Sequence, residues 1–438
     1  MRQLIHGSPL MLDTESQTKG PSKRMLALKD FEAAAKRHLP RSIFGYVSGG
    51  VEDNQSLREN RSAFAEHHLL PRVLVDVSQR SQAVTLFGRK YDTPFGIAPM
   101  GLSALSAYRG DIVLASAARA ANVPMILSGS SLIPLEDVIA AAPGTWFQAY
   151  LPGDAKRIDA LLDRVDAAGF ETLVLTVDIP VYGNRENNIR NGFSTPLRPG
   201  LRLAWDGLTH PRWLLGTFLR TLMQHGMPHF ENSFAERGAP VLSANVLRDF
   251  SNRDHLNWRH FDQIRSRWKG TLIIKGVLSV ADALTARERG ADGVIVSNHG
   301  GRQLDGVLSP LRVLPEIVEA LGRFPVMMDS GIRRGTDIVK ALSLGARFVF
   351  VGRPFAYAAA VGGQGGVLHG IRLLREEVDR DMALLGVRSC EELSRDLLRP
   401  TASPSDGEYS ASVLPAAMKP PTPADSMRPR GLANSATA

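Results

Sequence analysis

The sequence predicts an α/β fold, a TIM (β/α)8 barrel with an amino-terminal extension and a long insertion between strands four and five. Three observations point there. Eight short apolar runs recur between Phe95 and Arg353, each followed by a helix-like stretch. Continuous apolar runs suit strands buried on both faces, and β-then-α alternation builds a parallel sheet. The carboxyl ends of these runs carry charged and polar residues that a core does not accept unpaired. An open doubly wound sheet is the alternative arrangement of the same units. Eight units, and the lack of an early Gly-rich dinucleotide turn, favour closure.

The elements follow in order. Residues 1–24 mix Ser, Thr, Gln, Gly and Lys without periodicity and read as a disordered tail. Residues 25–92 form the extension: a helix around "ALKDFEAAAKRHL", a turn at "YVSGG", then short strand-like pieces. The barrel strands are "FGIAP" (95–99), "PMILS" (124–128), "WFQAY" (146–150) and "LVLTVD" (173–178). They continue with "TLIIKG" (271–276), "GVIVSN" (293–298), "PVMMDS" (325–330) and "FVFVGR" (348–353). The stretch between Asp178 and Thr271 far exceeds a βα connection, which places an insertion at about 187–268. The barrel domain then spans 25–398, and the Pro/Ala/Ser-rich residues 399–438 form a second disordered tail.

Composition narrows the function classes. The chain has 438 residues, 44% apolar and 22% charged, as in ordinary globular proteins. A single cysteine, Cys390, excludes an intramolecular disulfide and a cysteine-based metal cluster, and no metal is expected. The amino terminus lacks the apolar core of an export signal, and no apolar run reaches transmembrane length, so a cytoplasmic protein is expected. The net charge of +8 favours anionic partners. Nucleic acid is not among them, because there is no basic–aromatic stripe or finger spacing.

"SNHGGRQLDG" (297–306) sets His, Gly-Gly, Arg and Asp directly after the sixth strand. Alone, it reads equally as a polar turn whose glycines supply positive φ. In a barrel, however, the carboxyl ends of all strands converge on the face that carries active sites. Those ends hold Pro99-Met100-Gly101, Ser128, Gln148 with Tyr150, and Thr176 with Asp178. The later ones add Lys275, Ser297 with His299, Asp329-Ser330-Gly331-Ile332-Arg333, and Gly352-Arg353. "DSGIRRG" and "VGRP", after strands seven and eight, offer Gly backbones, helix-start N–H groups and forked arginines, as a phosphate requires. Two ordinary loops with surface arginines are the bland alternative.

Together these motifs resemble the family of FMN-dependent enzymes that oxidise L-2-hydroxy acids, with its L-lactate dehydrogenase, (S)-mandelate dehydrogenase and glycolate oxidase branches. "SNHGGRQLDG" matches that family's active-site signature, and "YVSGGVED", "FQAY", "LTVD", "IKGV", "DSGIRRGTDIVKALSLGA" and "VGRP" follow in its order, from about Leu28 to Leu398. The resemblance implies FMN as cofactor. Pro99, Met100, Gly101, Ser128, Gln148 and Thr176 would line its ring and ribityl side. Lys275, with Ser297 beside it, would face the pyrimidine end. Asp329, Ser330, Gly331, Ile332, Arg333, Gly352 and Arg353 would hold the ribityl chain and phosphate. It further implies His299 as catalytic base with Asp178 stabilising its imidazolium form. Arg185 and Arg302 would grip the substrate carboxylate, and Tyr46 and Tyr150 would contact carboxylate and hydroxyl. The chemistry asks for these types: histidine accepts protons near neutrality, and arginine's fork matches a carboxylate. A homotetramer is the assembly the resemblance implies.

Three positions depart from the glycolate oxidase pattern: Gly101 for alanine, Ser130 for tryptophan, and "DSG" for "DGG". All three resemble the mandelate dehydrogenase branch, and the first two remove volume where a substrate would sit. The insert "RPGLRLAWDGLTHPRWLLGTFLRTLMQHGMPHF" (198–230) is apolar, with Arg198, Arg202, Arg212 and Arg220 against Asp206. Segments lying on anionic membranes have this composition, and "HPRW" and "HGMP" resemble the membrane-docking segment of mandelate dehydrogenase. Insertion of Trp205, Trp213, Leu214, Leu215, Phe218 and Leu219 is expected on that reading; a lid or an oligomer contact is the alternative. The expectation is a peripheral enzyme on the inner face of the cell membrane, passing electrons to a quinone or other carrier. An O2-using oxidase that makes peroxide is its rival, and a non-catalytic flavin-binding scaffold a more remote one.

Overall fold

The apolar runs form the strands expected of them. In the computed structural model, which describes residues 24–152, 154–194, 197, 200–243 and 253–401, β1 (His67–Leu69), β2 (Val84–Leu86) and β3 (Arg89–Tyr91) belong to the extension. The barrel strands are β4 (Phe95–Ile97), β5 (Ile126–Ser128), β6 (Trp146–Ala149), β7 (Thr172–Thr176), β8 (Thr271–Val277), β9 (Gly293–Val296), β10 (Val326–Asp329) and β11 (Phe348–Val351). They make one 8-stranded parallel sheet, β4-β11-β10-β9-β8-β7-β6-β5. A parallel bridge between Ile97 and Met125, with Ile97 N–H donating to the Pro124 carbonyl at 2.9 Å, joins its two ends and closes the barrel.

Alternation along the strands divides the core in two. Ile126, Trp146, Val174, Ile273, Ile295, Met327, Phe348 and Phe350 fill the barrel, while their neighbours pack outward on the helices. The β2–β3 hairpin plugs the amino-terminal mouth: its turn residue Phe87 meets Trp146 edge-on at 5.9 Å, and Tyr91 meets Phe348 at the same distance. Trp146 and Phe348 are the first residues of their strands, so the mouth left for chemistry is the carboxyl-terminal one.

Local signals explain the helix starts. Asp154 accepts from the backbone N–H groups of Lys156 and Arg157 and caps Ala155–Ala167; Ser279 does the same for Val280–Glu288 through Asp282. Two expectations need correction. "YVS" is not a turn but the last turn of the helix Arg41–Ser48. Gly45 permits it, since a Cβ there would lie 2.6 Å from Asn191. The domain also does not stop at Leu398, because β12 (Leu398–Pro400) pairs antiparallel with β1 and orders Arg399 and Pro400. The remainder of both expected tails, 1–23 and 402–438, lies outside the described residues, as do Arg198 and Pro199 of the insert.

The described insert folds as the helix Leu201–Leu208, a continuous helical stretch from Pro211 to His225, and the helix Trp258–Arg267. Its apolar residues divide sharply. Trp213 is buried, donates its indole N–H to the Leu105 carbonyl at 2.7 Å and stacks on Phe218 at 5.6 Å. Leu214 and Phe218, partly buried, also pack against the core, so these three anchor the segment and buried Trp213 is not available for insertion into lipid. Leu201, Trp205, Leu208, Leu215 and Met223 are exposed. Among the described residues no helix is long and apolar enough to cross a membrane.

Candidate active site

The carboxyl-terminal mouth holds a cavity of about 170 Å3. Its walls include Tyr46, Pro99, Met100, Gly101, Tyr150, Arg185, Lys275, His299, Arg302, the run Asp329–Arg333, Gly352 and Arg353. Ser128, Gln148 and Ser297 are buried just behind this wall, at the ends of their strands. Thr176 lines an adjoining second cavity.

"SNHGGRQLDG" is built as a support for one imidazole. Ser297 Oγ accepts from the Lys275 ammonium (2.9 Å) and from the His299 N–H (3.0 Å). Asn298 exchanges amide hydrogen bonds with buried Asn60 at 2.8 and 2.7 Å. His299, Gly300 and Gly301 all have positive φ. A Cβ on Gly300 would stand 2.7 Å from the Arg353 guanidinium, and one on Gly301 would stand 2.6 Å from the Leu57 nitrogen. The glycines therefore admit Arg353 on one side and the helix Gln55–Ser62 on the other. Asp305 caps that helix by accepting from Gln55 and Ser56.

His299 Nδ1 lies 3.0 Å from Asp178 Oδ1, which leaves Nε2 to accept a proton. Burial lowers the imidazole pKa below its ordinary 6.5, and Asp178 opposes that shift. Burial disfavours ionised Asp178, yet His299 and then Lys275 outweigh it and bring the carboxyl below its ordinary value. Burial likewise disfavours charged Lys275, but Asp329, at 3.1 Å, and Asp178 raise its pKa and keep it protonated.

The arginines are held by backbone carbonyls rather than by carboxylates. Arg302 donates to the carbonyls of Tyr46 (2.8 Å) and Gly49 (2.7 Å) and lies over the Tyr46 ring at 5.0 Å. Arg185 donates to the Arg302 carbonyl (3.1 Å) and to Gln303 (2.6 Å). Arg353 donates to Val47 (3.0 Å) and Gly49 (2.9 Å). Burial brings Arg302 down to about 10 and Arg353 to about 9, so both stay charged at neutrality. Such cations are prepared for anions that enter the cavity.

The lining fits a flavin mononucleotide. Gln148 Nε2 and Thr176 Oγ1 are buried without a hydrogen-bond partner among the described residues, at the strand ends that would face a ring. Lys275 would meet the pole of that ring where negative charge collects. Arg333, Arg353 and the backbone at Gly331 and Gly352 would receive a phosphate at two helix starts. No group of metal-ligating side chains is present among the described residues.

The wall also holds residues that the sequence does not single out, among them Ile179, Tyr182, Phe230 and Arg253. Arg253, only 5% exposed, stacks its guanidinium 4.9 Å from the Tyr150 ring. Tyr182 stands three residues before Arg185, inside the motif "VYGNRENN". Phe230 and Arg253 arrive from the insert, and no local pattern announces them. Gly101 and Ser130 are close neighbours in the wall: a Cβ on Gly101 would lie 3.0 Å from Ser130 Cβ, tighter than an ordinary contact, and 3.6 Å from the Tyr46 hydroxyl.

Residues 35–400 match the family of FMN-dependent dehydrogenases. The chain is 43% identical over 374 residues to L-lactate dehydrogenase of Azorhizobium caulinodans, covering 84% of this chain and 97% of that one. It is 36% identical over 379 residues to (S)-mandelate dehydrogenase of Pseudomonas putida, covering 86% and 95%. The crystal structure of the monotopic membrane protein (S)-mandelate dehydrogenase superposes with a TM-score of 0.80 at 37% identity, covering 86% of this chain and 100% of that one.

Proposed function

The chain belongs to the FMN-dependent dehydrogenase family, and from that premise we propose that it oxidises an L-2-hydroxy acid, L-lactate or a larger one such as (S)-mandelate, to the 2-oxo acid. The observation that carries this reading is the His299–Asp178 pair, 3.0 Å apart, facing a cavity that also contains Arg185, Arg302 and Lys275.

Arg302 and Arg185 hold the carboxylate, and Tyr46 adds a hydroxyl beside them. That grip fixes the α-carbon and directs the substrate hydroxyl toward His299 and Tyr150. His299 Nε2 takes one proton, and Asp178 stabilises the resulting imidazolium. The chemistry a bound FMN would supply is that of acceptor for the two electrons and the remaining proton. Lys275 places a fixed positive charge where that charge arrives. The electrons leave to a quinone or other carrier. With an artificial acceptor present, 2-oxo acid should form with little peroxide; one peroxide per turnover under all conditions would establish the oxidase instead.

The small residues Gly101 and Ser130 in the cavity wall support substrate side chains larger than hydrogen or methyl. Each buried methylene contributes up to about 0.8 kcal/mol, or roughly fourfold in kcat/KM. Larger L-2-hydroxy acids should therefore exceed glycolate, and Gly101→Ala, crowding Ser130, should lower kcat/KM for them more than for glycolate. A wild-type preference for glycolate contradicts this.

The exposed set Leu201, Trp205, Leu208, Leu215 and Met223 supports peripheral docking on an anionic membrane surface. Deleting the segment is a poor test. Asp206 accepts from the Arg41 and Ser42 backbones and so caps the helix that carries Tyr46. Trp205→Ser/Leu208→Ser/Leu215→Ser keeps that cap, and the triple variant should lose co-sedimentation with anionic vesicles while remaining active in solution. Equal sedimentation of both proteins would make the segment a lid or subunit contact. The family resemblance supports a homotetramer.

A further inference from the structure

Among the described residues the cavity wall holds one arginine beyond those assigned to the phosphate and the carboxylate. Among the described lining residues, Asp329 is the carboxylate and is paired with Lys275 at 3.1 Å. Arg333 and Arg353 belong to the phosphate end, and Arg185 and Arg302 to the substrate carboxylate. Arg253 is a further cation in the same wall.

Its place is informative, and the argument rests on the hydroxy acid reading above. With the carboxylate on Arg185 and Arg302 and the hydroxyl at His299 and Tyr150, the substrate side chain faces what remains. That wall is Gly101, Ser130, Ile179, Tyr182, Phe230 and Arg253, of which Arg253 is the charged member. A second cavity of about 290 Å3 adjoins the first and shares Tyr150, Ile179 and Arg253 with it. The guanidinium thus sits at the junction, over the ring that approaches the substrate hydroxyl. A side chain longer than methyl runs toward a buried, planar, forked donor.

We propose that Arg253 determines specificity for the side chain, and that this enzyme favours L-2-hydroxy acids carrying a second carboxylate two or three carbons from the first. Arg253 forks onto the distal carboxylate while Arg185 and Arg302 hold the proximal one. The cation–π contact with the Tyr150 ring, 4.9 Å from its centroid, helps to hold the guanidinium in place. The oxidation itself is unchanged, since the distal carboxylate takes no part in bond making.

The test compares L-malate and L-2-hydroxyglutarate with the equally long monoacids L-2-hydroxybutyrate and L-2-hydroxyvalerate, in wild type, Arg253→Met and Arg253→Lys. Wild type should favour the diacids at least about tenfold in kcat/KM. Arg253→Met should lose about 100-fold on diacids, as when one partner of a buried charge pair is truncated, and stay near wild type on monoacids. Arg253→Lys should recover part of the diacid activity. Independently of turnover, 2-oxoglutarate should raise the Tm of the wild-type holoenzyme more than 2-oxovalerate does, and Arg253→Met should abolish the difference. Equal losses on both substrate classes, or a wild-type preference for monoacids, would overturn the proposal while leaving the hydroxy acid reading intact. Failure of every L-2-hydroxy acid to react would instead overturn the reading beneath it.

Discussion

His299→Gln should retain FMN and bind substrate, yet lose turnover by roughly 1,000- to 10,000-fold. Glutamine keeps much of the shape and can still meet Asp178, so the Gly300-Gly301 turn and the Ser297 contacts persist. What disappears is a nitrogen able to take a proton, and general bases contribute on that scale. Flavin absorbance and substrate affinity measured beside kcat separate this from misfolding. The pH profile gives a second sign. Burial holds the His299 pKa below 6.5, so kcat/KM should fall as acid protonates the imidazole, with that limb below 6.5 and a plateau at neutrality. Asp178→Asn removes the group that raises the His299 pKa, so the acid limb should move lower still while the maximal rate drops. An acid limb unmoved in Asp178→Asn would detach the pair from the chemistry.

Arg302→Met should act on binding more than on chemistry. Its guanidinium is part-buried, charged, and anchored by the Tyr46 and Gly49 carbonyls. Removing it leaves the substrate carboxylate facing Arg185 alone and releases the helix end that presents Tyr46. Truncating one side of a buried charged contact costs about 2–5 kcal/mol, or roughly 30- to 5,000-fold in kcat/KM, expressed mainly as a higher KM. Lysine should restore little of it, because a point charge cannot fork across two carbonyls and a carboxylate. Gly49 also holds Arg353, so FMN retention must be measured with KM. A KM within a few-fold of wild type would remove Arg302 from the proposed grip.

Most of the barrel was legible because its strands announce themselves twice, by apolar runs and by the polar residues that end them. Every strand from Phe95 to Val351 lies where its run predicted. The motif "SNHGGRQLDG" was legible for a different reason: two successive glycines are required where Arg353 and Leu57 approach the backbone. The misreadings share one cause, contacts remote in sequence. "YVSGG" looks like a turn by composition, but the helix survives because Gly45 accommodates Asn191. Arg399 and Pro400 look like tail until β1 pairs with them. Trp213 and Trp205 have the same local chemistry, and only the Leu105 carbonyl makes one an anchor and leaves the other exposed. Arg253 is beyond sequence reasoning altogether, because nothing near it in the chain signals that it reaches Tyr150.

Anaerobic mixing shows whether these walls present an L-2-hydroxy acid to FMN with His299 as base. The purified holoenzyme, freed of oxygen, is mixed in turn with L- and D-lactate and with (S)- and (R)-mandelate while the flavin absorbance is followed. At least one L-configured acid should bleach the flavin completely, with its 2-oxo acid formed in equal amount and its mirror image inert. A flavin that keeps its colour with every acid, or bleaches equally with both enantiomers, contradicts the account.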